Sequence, residues 1–145
     1  MQFRENILNY LENKLKEITT DNGYNTDVKT VTRKQLNVPT LDVFEFPCIC
    51  IADGDETREY FGQRVLHHFN VILKCWVYDE NNVSTKINLL LEDITNLIAN
   101  DLFLGNNSDQ AVFILNVETD EGYLFPFGFM ELTIKTTKYR FEQQR

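Results

Sequence analysis

A chain of 145 residues with a formal charge of −8 fits one domain, 1–145, and is long enough to bury about two thirds of its unfolded surface without staples. No run approaches the ~20 apolar residues of a membrane span. The opening MQFRENILNYLENKLKEI is charged throughout and lacks an apolar signal region, so we expect synthesis and folding in a cytoplasm and no membrane partner. Three cysteines, an odd number without a secretion signal, argue against a disulfide framework.

Phe3, Ile7, Leu8, Leu11, Leu15 and Ile18 recur at helical spacing and predict an amphipathic helix over roughly 4–18. Turn-formers from Thr19 to Gly23 end it. Asp27–Arg33 reads as a polar edge strand, and Lys34–Phe46, with Pro39 and no period, as a loop or irregular edge. Pro47–Ala52 (PCICIA) is apolar on both faces and so predicts a central strand. The next stretch, Asp53–Arg64, reads as a polar loop or hairpin connection of about a dozen residues. Its Tyr60 and Phe61 beside Arg58 and Arg64 suit partner contact, while folding back onto the core is the plainer alternative.

The chain is organised around Val65–Gly105. Phe69, Val71, Leu73, Cys75 and Val77 alternate onto one face of a long strand. His68, Asn70, Ile72, Lys74, Trp76 and Tyr78 make a mixed opposite face. Asp79-Glu80-Asn81-Asn82 turns the chain. Val83, Ile87, Leu90, Leu91, Ile94, Leu97 and Ile98 then form the apolar stripe of a helix, with Asn82 or Ser84 as N-cap and Gly105 closing the helix or its following turn. Asp101 opposes the helix dipole, so that end frays or is paired elsewhere. Ala111–Thr119 predicts a strand, Asp120-Glu121-Gly122 a turn, and Phe125–Phe141 a last long strand in which Gly128 marks a bulge or close approach. Residues 142–145 are expected to fray. The order α-β-β-β-α-β-β predicts an α+β two-layer sandwich, a mostly antiparallel sheet with two helices on one face.

Between Asp79 and Phe125 nine acids face Lys86 alone, so this segment carries the full −8, whereas 126–145 is net +2. With no basic patch to release counterions, the chain is a poor general binder of nucleic acid. The asymmetry is either ordinary solvation, a meeting of acidic and basic faces between subunits, or an acidic passage to which DNA does not stick.

No residue set points to catalysis. Cys48 and Cys50 share a strand face with no turn to aim two thiolates at one metal, even with Cys75, His67 and His68 near. Asp53, Asp55 and Glu56 lack the calcium-loop pattern. Glu131 alternates away from Met130 and Leu132, and His67-His68 has no Ser or Cys nucleophile in an elbow. There is no phosphate loop or dinucleotide turn. We therefore read no enzyme, cofactor or metal site.

A Pro-x-Ile-x-Ile strand (Pro47, Ile49, Ile51), a strand ending Val77-Tyr78-Asp79, a helix leading to Asp101-x-x-Leu104-Gly105 and a last strand ending Tyr139-Arg140 follow the N-terminal helix. Over Ile7–Phe141 this order resembles the small tail terminator (tail completion) proteins of tailed bacteriophages. The resemblance implies a structural virion protein of the tail, assembled in the host cytoplasm: a hexameric ring that caps the tail tube, stops its polymerisation and joins the tail to the head. It implies a homo-oligomer, a tail tube protein and a neck or head-completion protein as partners, and DNA only in transit through the lumen. On that footing Asp53, Asp55, Glu56, Arg58, Tyr60, Phe61, Arg64, Lys138 and Arg140 are candidate subunit or tube contacts, and Asp79, Glu80, Asp109, Asp120 and Glu121 a candidate acidic lumen face. A head-completion, connector or tail tube protein is the nearest alternative; a small enzyme or ligand-binding α+β domain, monomeric or dimeric with a deep polar pocket, is the alternative of another class.

Overall fold

The computed structural model describes residues 2–35 and 40–141. Its regular elements are helix α1 (Phe3–Leu15), strands β1 (Thr30–Thr32), β2 (Cys48–Phe61) and β3 (Arg64–Tyr78), helix α2 (Val83–Ala99), and strands β4 (Phe113–Thr119) and β5 (Phe127–Phe141). The five strands form one sheet in the order β1-β2-β3-β5-β4, antiparallel except for the short parallel pair β1–β2. This is the α+β arrangement expected.

The period of two in β3 decides the layering. Its odd-numbered residues from Val65 to Val77 are buried. Ile7, Leu8, Leu11 and Leu15 of α1 and Ile87, Leu90, Ile94, Leu97 and Ile98 of α2 join them in one core cluster with Ile49, Ile51, Met130, Leu132 and Ile134. Both helices therefore cover the same sheet face. Gly128 lets α2 come close: a Cβ there would lie 2.7–2.9 Å from Val83, Ile87 and Val77 side chains. Close approach, not a bulge, is its role. On the opposite face Phe46, Cys48, Trp76, Tyr78 and Phe127 make a smaller cluster under the single-turn 3-10 helix Val43–Glu45, so Cys48–Ile51 is buried from both sides.

Several boundaries differ from expectation. The edge strand expected over 27–33 shrinks to three residues, and part of the expected irregular stretch 34–46, like the expected frayed end 142–145, lies outside the described residues. Asn82 occupies the N-cap position of α2, but its side chain makes no cap bond. Asp79 holds the turn instead, accepting the Asn81 and Asn82 backbone N–H groups at 2.7 Å each. Those bonds, Asn82 first, hold its carboxyl below the usual range. Asp101 is paired: it accepts the Tyr10 hydroxyl and, at 3.0 Å, the Gly105 N–H.

The main correction concerns 53–64. This stretch is not a loop. After a register shift between Asp53 and Glu56, β2 continues to Phe61 and pairs with β3 residue by residue. Gly62-Gln63 makes the turn, with Gly62 at φ +64 as the first central position of a tight hairpin favours. The residues are polar because this end of the sheet runs out past the helix layer, so alternation there sorts charges rather than apolar side chains.

Candidate functional site

Where the sheet runs past the start of α1, Gln2, Phe3 and Arg4 face the helix-side residues Glu56, Arg58, His67 and Arg140 across a cavity of about 330 Å³. The register explains the gathering: Glu56 stands opposite Phe69, Arg58 opposite His67, and Arg140 opposite Val65, all in phase with the buried face of β3.

Glu56 is the hub. It accepts from Arg58 Nε at 2.6 Å and His67 Nδ1 at 2.9 Å, and pairs with Arg4 Nη1 at 3.7 Å. Burial works to raise its carboxyl, but the hydrogen bonds from His67 and then Arg58 outweigh it and hold the group below the usual carboxylate range. His67 Nε2 accepts from Arg140 Nε at 2.8 Å, so the two bonds use the imidazole as donor at Nδ1 and acceptor at Nε2. Arg4 bonds Asp53 at 3.3 Å and lies 4.3 Å over the Phe69 ring, which ties the first turn of α1 to β2 and the core. Bonds to Glu56, and next to Tyr60, hold the Arg58 guanidinium firmly protonated.

Of the candidate contact residues, Glu56, Arg58 and Arg140 thus meet at one cavity, with Asp53 bonded to Arg4 at its edge. Tyr60 and Phe61 are exposed, 57% each, and do not fold back on the core. Arg64 sits 5.6 Å over the exposed Phe141 ring at the hairpin tip. Lys138 pairs with Asp109 at 3.6 Å, and Asp55 lies in the register shift of β2. Arg4 and His67 were not singled out as contact residues. For His67 the signal was present, since it falls in phase with Val65 and Phe69; for Arg4, far away in sequence, there was none.

The candidate lumen acids fall into two groups. Asp79 and Glu80 follow β3, and Asp120 and Glu121 follow β4, at the same end of the sheet. Glu80 accepts the Tyr78 hydroxyl at 2.7 Å. Asp120 accepts the Leu124 and Phe129 N–H groups at 3.0 and 3.2 Å and so shapes its own turn. Asp109 stands apart: its N–H bonds Thr137 O, whereas that of Asp79 bonds Pro126 O, a separation of ~35 Å along β5 at ~3.3 Å per residue.

The other weighed groups are dispersed. Ile49 pairs with Cys75 and Cys48 with Trp76, so Cys75 lies on the helix face while Cys48 and Cys50 lie on the other. Burial pushes the Cys48 thiol up to about 12 and raises that of Cys75 as well. His68 turns to that second face, between Glu59 at 2.5 Å and Thr137 at 3.0 Å. Asp93, on the buried side of α2, accepts from the Asn25 backbone N–H at 3.0 Å and its amide at 3.1 Å, so it anchors the segment after α1.

The polar side chains described above tie elements of a two-layer α+β chain together and charge the ends of its sheet. In the comparison with known families, the profile described as "Bacteriophage Tail Tube Terminator Protein" matches residues 1–145. The chain belongs to that family, which is a family of structural phage tail proteins. No curated protein matches it.

Proposed function

We propose that the chain assembles as a hexameric ring that caps the tail tube, stops tube polymerisation and joins the tail to the neck or head-completion proteins. The observation that carries this reading is the family match over the whole chain. A heterologous contact repeated with rotational closure makes such a ring. One annular face fits the last ring of tube subunits; the other offers no template for a further one, so growth halts. The reading assigns no catalytic step, cofactor or metal. Assembly takes place in the host cytoplasm, and the chain acts as one domain in the virion.

In this reading the hairpin built from Asp53–Arg64, with Lys138 and Arg140 beside it, is the contact element toward a neighbouring subunit or the tube. Its exposed Tyr60 and Phe61 supply apolar anchors and its arginines the directional contacts. Asp79, Glu80 and Asp109 contribute to an acidic lumen, along which repulsion keeps passing DNA from sticking. Asp120 and Glu121 stand on the turn that leads out of β4.

Native mass spectrometry of the chain, alone and mixed with purified tail tubes, tests the ring. A sixfold assembly, in solution or at one tube end, is the expected result; a chain that is never found in sixes overturns it. The double variant Arg58→Ala with Arg64→Ala is expected to lose ring formation and capping, and full retention of both would remove the hairpin from the contact.

A further inference from the structure

The two ends of the sheet differ in charge, and both expose aromatic surface. At the hairpin end Arg4, Arg58, Arg64, Lys138 and Arg140 stand against Asp53, Glu56, Glu59 and Asp109, a small excess of positive charge, with Tyr60, Phe61 and Phe141 exposed. At the far end, residues 79–82 and 118–127 carry Asp79, Glu80, Glu118, Asp120 and Glu121 with no lysine or arginine. There Tyr123, 86% exposed, stands on the turn with Leu124 and Phe125 also exposed. Aromatic surface ringed by charge is the anatomy of a contact. Two acidic far ends would repel each other, so that end does not suit a symmetric dimer; an acidic end and an arginine-bearing end on one chain suit head-to-tail association.

We propose that the acidic turn 118–125 of one copy docks at the hairpin end of the next, with Glu121 entering the cavity between Arg4, Arg58 and Arg140. The Arg4 and Arg58 side chains remain 43% and 48% exposed, although Arg4 pairs Asp53 and Glu56 and Arg58 pairs Glu56, so the open side of Arg58 can take a second carboxylate, with Arg4 and Arg140 flanking it. Glu121, exposed and at φ +57, stands on the turn after β4, while the Asp120 carboxylate is taken up by the Leu124 and Phe129 N–H groups. Tyr123 and Phe125 then cover Tyr60 and the residues around it. The proposal rests on the ring reading above and names the two surfaces that the ring would join.

The test is a charge exchange read by light scattering across concentration at low salt. Arg58→Glu and Glu121→Lys are each expected to weaken self-association by about tenfold or more, and their equimolar mixture to restore it, since the reversed ends then alternate. Tyr123→Ser, a change at a side chain 86% exposed, gives the same loosening without touching the Glu56 network, so it stands in if Arg58→Glu does not fold. Single variants that associate like the parent, a mixture that fails to recover, or a parent chain monomeric at every concentration each overturn the junction. Tube capping by the same proteins separates the two readings: capping that survives both reversals leaves the terminator reading standing and removes only this contact.

Discussion

Tyr10 shows how one side chain ties distant parts of the fold. Its hydroxyl bonds Asp101 in the segment after α2, and that bond, with burial second, raises its pKa from 10.0 to about 12. The folded state therefore holds the phenolic proton more tightly than the unfolded chain does. The contribution is fully present below pH 10 and is lost as pH climbs through 10 to about 12. Chemical denaturation of Tyr10→Phe across pH is expected to show a lower stability at neutral pH and a smaller loss over that alkaline window. Asp79 works with the opposite sign. Its folded carboxyl titrates lower than an ordinary one, so its contribution is present at neutral pH and is lost as pH falls through that lowered value; Asp79→Ala should flatten the acid limb. Gly128 is a packing constraint. A methyl group there meets three side chains at 2.7–2.9 Å, so Gly128→Ala is expected to cost about 1–3 kcal/mol in a urea titration.

At the scale of elements, α1 is held by two means. Ile7, Leu8, Leu11 and Leu15 are buried against the sheet, and Arg4 reaches across to Asp53 and Glu56. The apolar term dominates, because truncating a buried leucine removes both transfer energy and packing. Leu11→Ala is expected to cost about 2–5 kcal/mol, whereas Arg4→Ala, with a side chain nearly half exposed, should cost far less and instead loosen hydrogen-exchange protection in the first turn. Equal losses from the two would contradict this ranking. The helices and β3 were legible because their apolar residues keep one period over many positions. The outer half of β2 was not: its ladder bonds are satisfied by β3, yet no helix covers it, so Glu56, Arg58 and Tyr60 alternate with Thr57, Glu59 and Phe61 without an apolar face to mark the period. Gly62 was the available sign of a tight turn. Asp79 displaced Asn82 as the holder of the α2 turn because a carboxylate three residues back reaches two N–H groups at once.

For the whole molecule, the charge asymmetry was visible in the order of residues, but its placement was not. Asp79 and Asp120 come together only because β3 and β4 both run toward the same end of the sheet, while Asp109, in the same acidic segment, is carried to the hairpin side by its bond to Thr137. The family match makes the chain a tail terminator family member, and the structure adds a molecule with two unlike ends. Added salt is expected to weaken self-association of the parent chain, since opposite charges at the ends are screened beyond ~10 Å at 0.1 M; association that strengthens steadily with salt would point to an apolar contact alone. The most direct measurement of the terminator role is tube growth from purified tail tube protein, followed by microscopy with and without this chain. Tubes that stop lengthening and carry a cap at one end are the predicted result. Tubes that grow to the same lengths with bare ends, in the presence of excess chain, would contradict the account.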